Sequence, residues 1–227
     1  MSGIRLVTRL LAFALFLCGT CVLTLVLLVA DRVRKQPTDK NAWATFCFRQ
    51  ACRCLGWQVQ VHGQPTSGNA LYVANHISWS DIPALGSLTP LRFLSKAEVG
   101  NWPVIGWLAR QAGTLFIKRG GGQARRIKKT MVEHLQAGES VLVFPEGTTS
   151  SGLAVLPMHG LLLTAARDAG VPVQPVTIGY RRNQRPDPVA PFVGDDSFQR
   201  HLMRLLSQPP TRIQIVLHPP ATADQPG

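Results

Sequence analysis

The sequence predicts an α/β protein, a mostly parallel sheet flanked by helices, with an N-terminal membrane helix or helical hairpin in front of it. Three observations carry this. An uncharged apolar run opens the chain, apolar β-branched runs alternate with helix-period segments from Trp57 onward, and proline and glycine mark the joins. At 227 residues there is room for one full domain plus an attachment. With 45% hydrophobic and 16% charged residues, the chain is too apolar for a disordered basic tail.

Leu10–Ala30 is a stretch of 21 residues without a charge. As a helix it would be roughly 32 Å long, close to the thickness of a bilayer core. Arg5 and Arg9 precede it, and Arg32, Arg34, Lys35 and Lys40 follow, diluted by Asp31 and Asp39. The run is too long for a signal peptide and no A-x-A-like site closes it. Residues 1–40 are therefore read as a membrane-anchoring helix with basic flanks. The basic excess on its C-terminal side favours that side as cytoplasmic. The expected location is the cell inner membrane, with the main domain on the cytoplasmic side.

Residues 41–56 read as an amphipathic interfacial helix. Trp43, Phe46, Phe48 and Trp57 offer aromatic anchors, and Arg49 and Arg53 share a face at i,i+4. A full span and a shallow two-helix hairpin both fit this pattern. The five cysteines, at 18, 21, 47, 52 and 54, all fall in this region without a metal-site spacing, which suits a reducing compartment.

Residues 57–220 read as one domain, and 221–227 as a frayed tail. Strands are expected at 57–62, 70–74, 91–95, 113–118, 140–144, 173–179 and 212–217. Helices are expected at 82–88, 103–111, 122–137, 158–169 and 195–206. In 122–137, Ala124, Ile127, Met131 and Leu135 form an apolar stripe, and Arg125, Arg126, Lys128 and Lys129 occupy the other faces.

The charge narrows the partners. There are 24 Lys+Arg against 12 Asp+Glu, and the excess sits in two blocks. Residues 1–56 hold eight Lys/Arg and two Asp; residues 92–129 hold nine Lys/Arg and one Glu. Such blocks call for an anionic partner. The first flanks an apolar run and fits a membrane surface. The cations of the second are not interleaved with aromatics for base stacking, so nucleic acid is not expected.

The chemistry starts where strand LYVAN runs into His76, with Asp81 five residues later in HISWSD. Five residues along a helix turn through about 500°, so the two side chains would not share a helical face. They meet only if His76 lies in the strand-to-helix turn and Asp81 folds back from the first helical turn, which Pro83 supports. A carboxylate-held imidazole is a positioned general base. No G-x-S-x-G elbow supplies a serine, so the base would have to activate a substrate hydroxyl or water. No H-E-x-x-H or Walker-type segment is present, and neither a metal nor another cofactor is expected.

Three further segments follow in order: Gly113-Thr-Leu-Phe-Ile-Lys-Arg119, Phe144-Pro-Glu-Gly-Thr-Thr-Ser150 and Val171-Pro-Val-Gln-Pro-Val176. With the H-x4-D turn they resemble the four blocks of the glycerophospholipid (1-acylglycerol-3-phosphate) acyltransferase family over about residues 70 to 180. The resemblance implies a glycerol-3-phosphate acyltransferase-like fold. It implies that His76 deprotonates an acceptor hydroxyl and Asp81 orients it. The hydroxyl would attack the thioester of an acyl-carrier protein or acyl-CoA directly. It further implies a head-group site of Arg119, Glu146, Gly147, Thr148 and Thr149, with Lys96 matching a lysine often found there and Val171–Val176 walling the site. The expected partners are a lysolipid acceptor, the acyl donor and an anionic membrane surface.

Two positions depart from the family pattern. Its usual E-G-T-R is here Glu146-Gly-Thr-Thr149, and its usual L-P-F-K is Leu156-Pro-Met-His159. Two cations expected around an acceptor phosphate are thus missing. A bidentate arginine–phosphate contact is worth about 1.5–3 kcal/mol, so the change bears on the acceptor. The commonest acceptor in the family is 1-acylglycerol-3-phosphate, which gives phosphatidate. The substitutions, with N-H-x-S-W-x-D-I and Lys96 to Pro103, are similar instead to the lyso-ornithine lipid acyltransferase branch. A non-catalytic anionic-lipid binder is the alternative from another class, and the intact His76/Asp81 pair argues against it.

Overall fold

The computed structural model describes residues 2–35, 38–117 and 123–221. Two helices lead, α1 (Ser2–Arg34) and α2 (Asn41–Cys54). Then come β1 (Trp57–His62), β2 (Leu71–Ala74), α3 (Asp81–Gly86), β3 (Arg92–Lys96), α4 (Ala97–Gly100), α5 (Pro103–Gln111), β4 (Leu115–Ile117) and α6 (Ala124–Gln136). The chain finishes with β5 (Val141–Val143), α7 (Gly160–Ala169), β6 (Val173–Arg182), β7 (Arg185–Pro186), α8 (Phe198–Ser207) and β8 (Thr211–Leu217).

The strands form one sheet in the order β1-β8-β6-β2-β5-β3-β4, with β7 paired to β6. Neighbours from β6 through β4 are parallel, β8 is antiparallel to β6, and β1 is parallel to β8. The expected mostly parallel sheet is what forms. Its consequence is that β2, β5, β3 and β4 all deliver their C-terminal ends to one edge. His76, Phe144, Lys96 and Ile117 therefore lie along that edge, where open α/β sheets build their sites.

Alternation along the strands splits the core in two. Leu71, Val141 and Val143 face Met131 and Leu135 of α6 and Ala165 and Ala166 of α7. Tyr72, Ala74, Leu142, Ile178 and Ile215 face the other way, toward α2, α3 and α8, with Leu6, Leu10 and Phe13 of α1 packed against that cluster. The sheet thus separates α6 and α7 from α1, α2, α3 and α8. Each fully buried Leu or Ile contributes about 1.5–3 kcal/mol, which is why the period-2 runs settle the strand faces. Across α6 and α7, Lys128 pairs with Asp168 at 2.6 Å and donates to Thr164 at 3.1 Å. Gly170 ends α7 in the left-handed region at φ 69°, a conformation costly for a Cβ-bearing residue.

Helix α1 alone among the described residues is long and apolar enough to cross a membrane. It is tied to the domain near its start. Arg9 donates to the carbonyls of Leu206 (3.2 Å) and Gln208 (2.8 Å), and Arg5 to that of Ser207 (3.3 Å), satisfying carbonyls that α8 leaves open at its C-terminal end. At the far end of α1, Asp31 accepts from the Thr38 N–H and pairs with Lys40 at 3.0 Å, fixing the turn into α2. A second apolar stripe on α1, including Val7, Leu11, Leu15, Val22, Val26 and Val29, faces outward and is exposed.

The expected strands all occur, with ends moved by one or two residues, except that β6 runs three residues further, to Arg182. The 122–137 helix begins at Ala124. Two short elements were not anticipated, the single turn α4 and the two-residue β7. Of the aromatics expected to anchor α2 at an interface, Phe48 packs edge-on against Phe93 and Trp57 is buried against Trp79. Both are drawn inward because α2 lies on α3 and β1. Trp43 and Phe46 stack on each other, with Phe46 exposed. Ala221, expected to fray, is bridged to Val173 by a pair of backbone hydrogen bonds of 2.8 and 2.9 Å. Residues 222–227 lie outside the described residues.

Candidate active site

The strand-to-helix turn brings His76 and Asp81 together as the spacing requires. Helix α3 starts at Asp81, whose side chain folds back under the turn, fully buried. The carboxylate accepts four hydrogen bonds. Oδ2 takes His76 Nδ1 at 2.7 Å, the Ile77 N–H at 2.8 Å and the Ser78 N–H at 3.0 Å. Oδ1 takes the Tyr180 hydroxyl at 2.5 Å. These donors offset the cost of burying the group. A carboxylate on Nδ1 fixes the proton there, leaving the Nε2 lone pair free to accept one. The His76 ring lies flat on Phe144, centroids 3.9 Å apart, so its plane is set as well.

The Phe144–Ser150 turn is fastened to the same residue. Glu146, only 4% exposed, accepts the His76 N–H at 3.1 Å and the Leu156 N–H at 3.4 Å. The Ser150 N–H returns to the His76 carbonyl at 2.8 Å. Gly147 adopts φ 69°, and a Cβ there would come within 3.3 Å of the His159 ring. The departing positions 149 and 159 thus flank this turn. Thr149 donates its hydroxyl to the Phe192 carbonyl, while the Phe192 N–H bonds the Ile77 carbonyl at 3.0 Å.

An apolar cavity of about 1110 Å³ opens beside His76. One wall is Phe13, Phe16, Leu17, Thr20, Thr24 and Leu27 of α1, and Trp43, Ala44 and Cys47 of α2 add to it. Lys96, Gly147, Thr148 and Thr149 line the same cavity with His76. Of the residues expected at the site, the fold therefore gathers His76, Asp81, Lys96, Gly147, Thr148 and Thr149. Glu146 sits behind the wall as a backbone brace. Arg119 lies outside the described residues. The expectation that Val171–Val176 walls the site is corrected. β6 runs parallel to β2 and Val173 pairs with Leu71, so the segment begins at the opposite edge from His76, and only its Val176 end, beside Ala74, approaches.

Three features escape sequence reasoning. Tyr180, on the same strand face as Val176 and Ile178, braces Asp81; burial and then the Asp81 charge push its hydroxyl well above the ordinary phenol range, so it stays a donor. His201, fully buried on α8, accepts the Trp79 indole N–H on Nδ1 at 2.9 Å. Its Nε2 faces the carbonyls of Val189 and Pro191, both at 3.1 Å, and must donate to them. His201 is therefore the neutral Nε2–H tautomer, fastening the 189–192 loop to Trp79, another cavity residue. The α1 wall is the third. The signal for Tyr180 and His201 was a polar residue on an otherwise apolar face; for the α1 wall there was none.

Comparison with known proteins gives the same direction. A family model described as Acyltransferase matches residues 58–179. A lyso-ornithine lipid O-acyltransferase of Pseudomonas aeruginosa is 54% identical over 155 residues, 68% of this chain and 60% of that protein. The lyso-ornithine lipid O-acyltransferase of Rhodobacter capsulatus is 36% identical over 86% of this chain and 75% of that protein. A 1-acyl-sn-glycerol-3-phosphate acyltransferase of Neisseria gonorrhoeae is 36% identical over 79% of this chain and 71% of that protein. The crystal structure of the 1-acyl-sn-glycerophosphate acyltransferase PlsC from Thermotoga maritima superposes with a TM-score of 0.69 at 20% identity, covering 100% of this chain and 88% of that one. The sheet, the H-x4-D turn and these matches together mean that the chain belongs to the acyltransferase family.

Proposed function

We propose that the protein is a membrane-bound O-acyltransferase that esterifies the hydroxyl of lyso-ornithine lipid from an acyl-carrier protein or acyl-CoA thioester. The observation that carries it is His76, held by Asp81 at 2.7 Å and facing an apolar cavity of about 1110 Å³. His76 Nε2 takes the proton of the acceptor hydroxyl as its oxygen attacks the thioester carbonyl. The tetrahedral intermediate collapses with cleavage of the C–S bond. The sulfur leaves with the proton from His76, and no acyl-enzyme forms. Asp81 holds the imidazole and balances its charge while it carries that proton. Lys96, Gly147, Thr148 and Thr149 receive the head group, with Arg119 assigned there by resemblance, and Glu146 keeps the two turns in register. The reaction so written uses no cofactor besides the thioester donor.

Threonine at 149 and histidine at 159, in place of arginine and lysine, favour an amino-acid head group over a phosphomonoester. The names of the Pseudomonas and Rhodobacter relatives support the same acceptor. A second reading, 1-acylglycerol-3-phosphate, is favoured by the name of the Neisseria relative. Attachment follows from α1. With its start tied to α8 and its outer stripe exposed, we read it as lying in one leaflet of the cell inner membrane, with the domain on the cytoplasmic side.

The test is purified protein in detergent with labelled acyl-carrier protein and both acceptors in parallel. Turnover on lyso-ornithine lipid is expected, and His76→Ala should lower it by about 10²–10⁴-fold. Acyl transfer that survives in His76→Ala would sink the mechanism. Exclusive use of lysophosphatidate would overturn the acceptor. Thr149→Arg should raise use of the phosphate acceptor relative to ornithine.

A further inference from the structure

The α6 cations of the second basic block have no role in the chemistry above, and their position says what they meet. Arg125, Arg126 and Lys129 lie exposed on the first two turns of α6 and make no ion pair among the described residues, whereas Lys128 is turned inward to Asp168. The first turn of α6 holds no acidic residue and its N-cap side chain makes no capping bond. Cations at this end of a helix oppose its dipole, so local stability does not account for them. The only acidic residue of the helix, Glu133, lies a turn further on.

Two facts of the fold locate the patch. First, α6 follows β4, so its start lies at the same sheet edge as His76. The order β2-β5-β3-β4 puts β4 three strand spacings from β2, no more than about 15 Å away. Second, α6 and α7 cover the sheet face opposite α1, α2 and α8. The exposed apolar stripe of α1 thus belongs to the other side of the molecule. A membrane bound through α1 would not reach α6, which leaves this patch to a soluble partner.

We propose that Arg125, Arg126 and Lys129 form the docking surface for the acidic protein that carries the acyl thioester. The carrier body rests on α6 while its flexible thiol arm crosses to His76. This rests on the acyl-transfer reading, and it makes the carrier protein, not the nucleotide thioester, the donor the surface is built for.

The experiment uses the full chain in detergent with palmitoyl-carrier protein and palmitoyl-CoA as parallel donors. The variant is Arg125→Glu/Arg126→Glu/Lys129→Glu. Its KM for palmitoyl-carrier protein should rise about tenfold or more, since charge at an interface rim governs association. Its kcat/KM with palmitoyl-CoA should stay within about twofold, and its cosedimentation with phosphatidylethanolamine/phosphatidylglycerol vesicles should not change. The glutamine triple variant, which keeps helix propensity, should move in the same direction with a smaller rise. An unchanged carrier KM overturns the proposal. Equal losses on both donors overturn it in favour of nucleotide binding, and loss of vesicle binding with an unaltered KM in favour of a lipid-facing patch. A wild type that turns over palmitoyl-CoA but not the carrier overturns the docking surface and leaves acyl transfer standing. One that uses neither donor removes acyl transfer itself.

Discussion

At Asp81 a carboxylate leaves water and receives four donors in exchange. Stripping water from a charge costs several kcal/mol, and bonds to a charged acceptor return about 1.5–3 kcal/mol each, so the four donors together offset that cost. One of those donors, His76, was legible in the sequence as geometry. A five-residue spacing forces Asp81 to fold back, and folding back puts it under the backbone of Ile77 and Ser78. Tyr180 was not legible, because only the sheet brings residue 180 beside residue 81. His201 is the same kind of residue, and it carries a pH dependence. Burial, then the nearby Arg204 charge, hold its imidazole below the ordinary value of 6.5. Protonation would place a second donor against the Trp79 indole N–H. The unfolded state therefore binds the proton first, and stability present above about pH 6.5 is lost as pH falls toward the folded-state value. Denaturation midpoints at pH 7.5, 6.0 and 5.0 should fall more steeply for the wild type than for His201→Gln, which keeps an acceptor and a donor without titrating. Parallel slopes would remove His201 as the cause.

At the scale of elements, periodicity located the long strands and helices because each buries one face. It missed α4 and β7 for separate reasons. A four-residue turn has no period to read. The β6–β7 turn uses Asn183 and Gln184 at φ 51° and 65°, so it lacks the glycine that marks such hairpins. Periodicity also could not say that α1 has two apolar faces with different tasks. An uncharged helix looks the same all round, and only the fold separates the face against α8 and the cavity from the face left bare. On α2, burial pushes the Cys52 thiol up to about 12, which keeps that cysteine protonated and unreactive. Leu27 is the last cavity-lining residue of α1 before the turn into α2. Leu27→Trp should close that end and shift donor preference toward shorter acyl chains by several-fold, measured by competition between C12 and C16 thioesters. An unaltered preference would show that the acyl chain does not run that far.

Over the whole molecule, the sheet divides two environments. α1 and α2 lie on one side with a bare apolar stripe, and α6 presents cations on the other. The two charge blocks of the sequence already suggested two partners, but their placement on opposite faces needed the strand order. A nitroxide on Cys18, exposed on α1, in a chain with the other four cysteines replaced, tests the attachment. A helix lying in one leaflet puts the label about 5–10 Å below the head groups. A spanning helix would bring it toward the bilayer centre, about 15 Å deep.

The clasp between α1 and α8 also sets an order in time. Arg5 and Arg9 bond carbonyls 197 to 202 residues further along the chain. During synthesis α1 emerges long before those carbonyls exist, and the lipid bilayer is the apolar surface at hand to receive it. On the membrane-bound reading proposed above, membrane capture precedes closure of the cavity. On that reading, the compartment beside His76 is complete only once α8 has been made and has closed onto a helix already held in lipid.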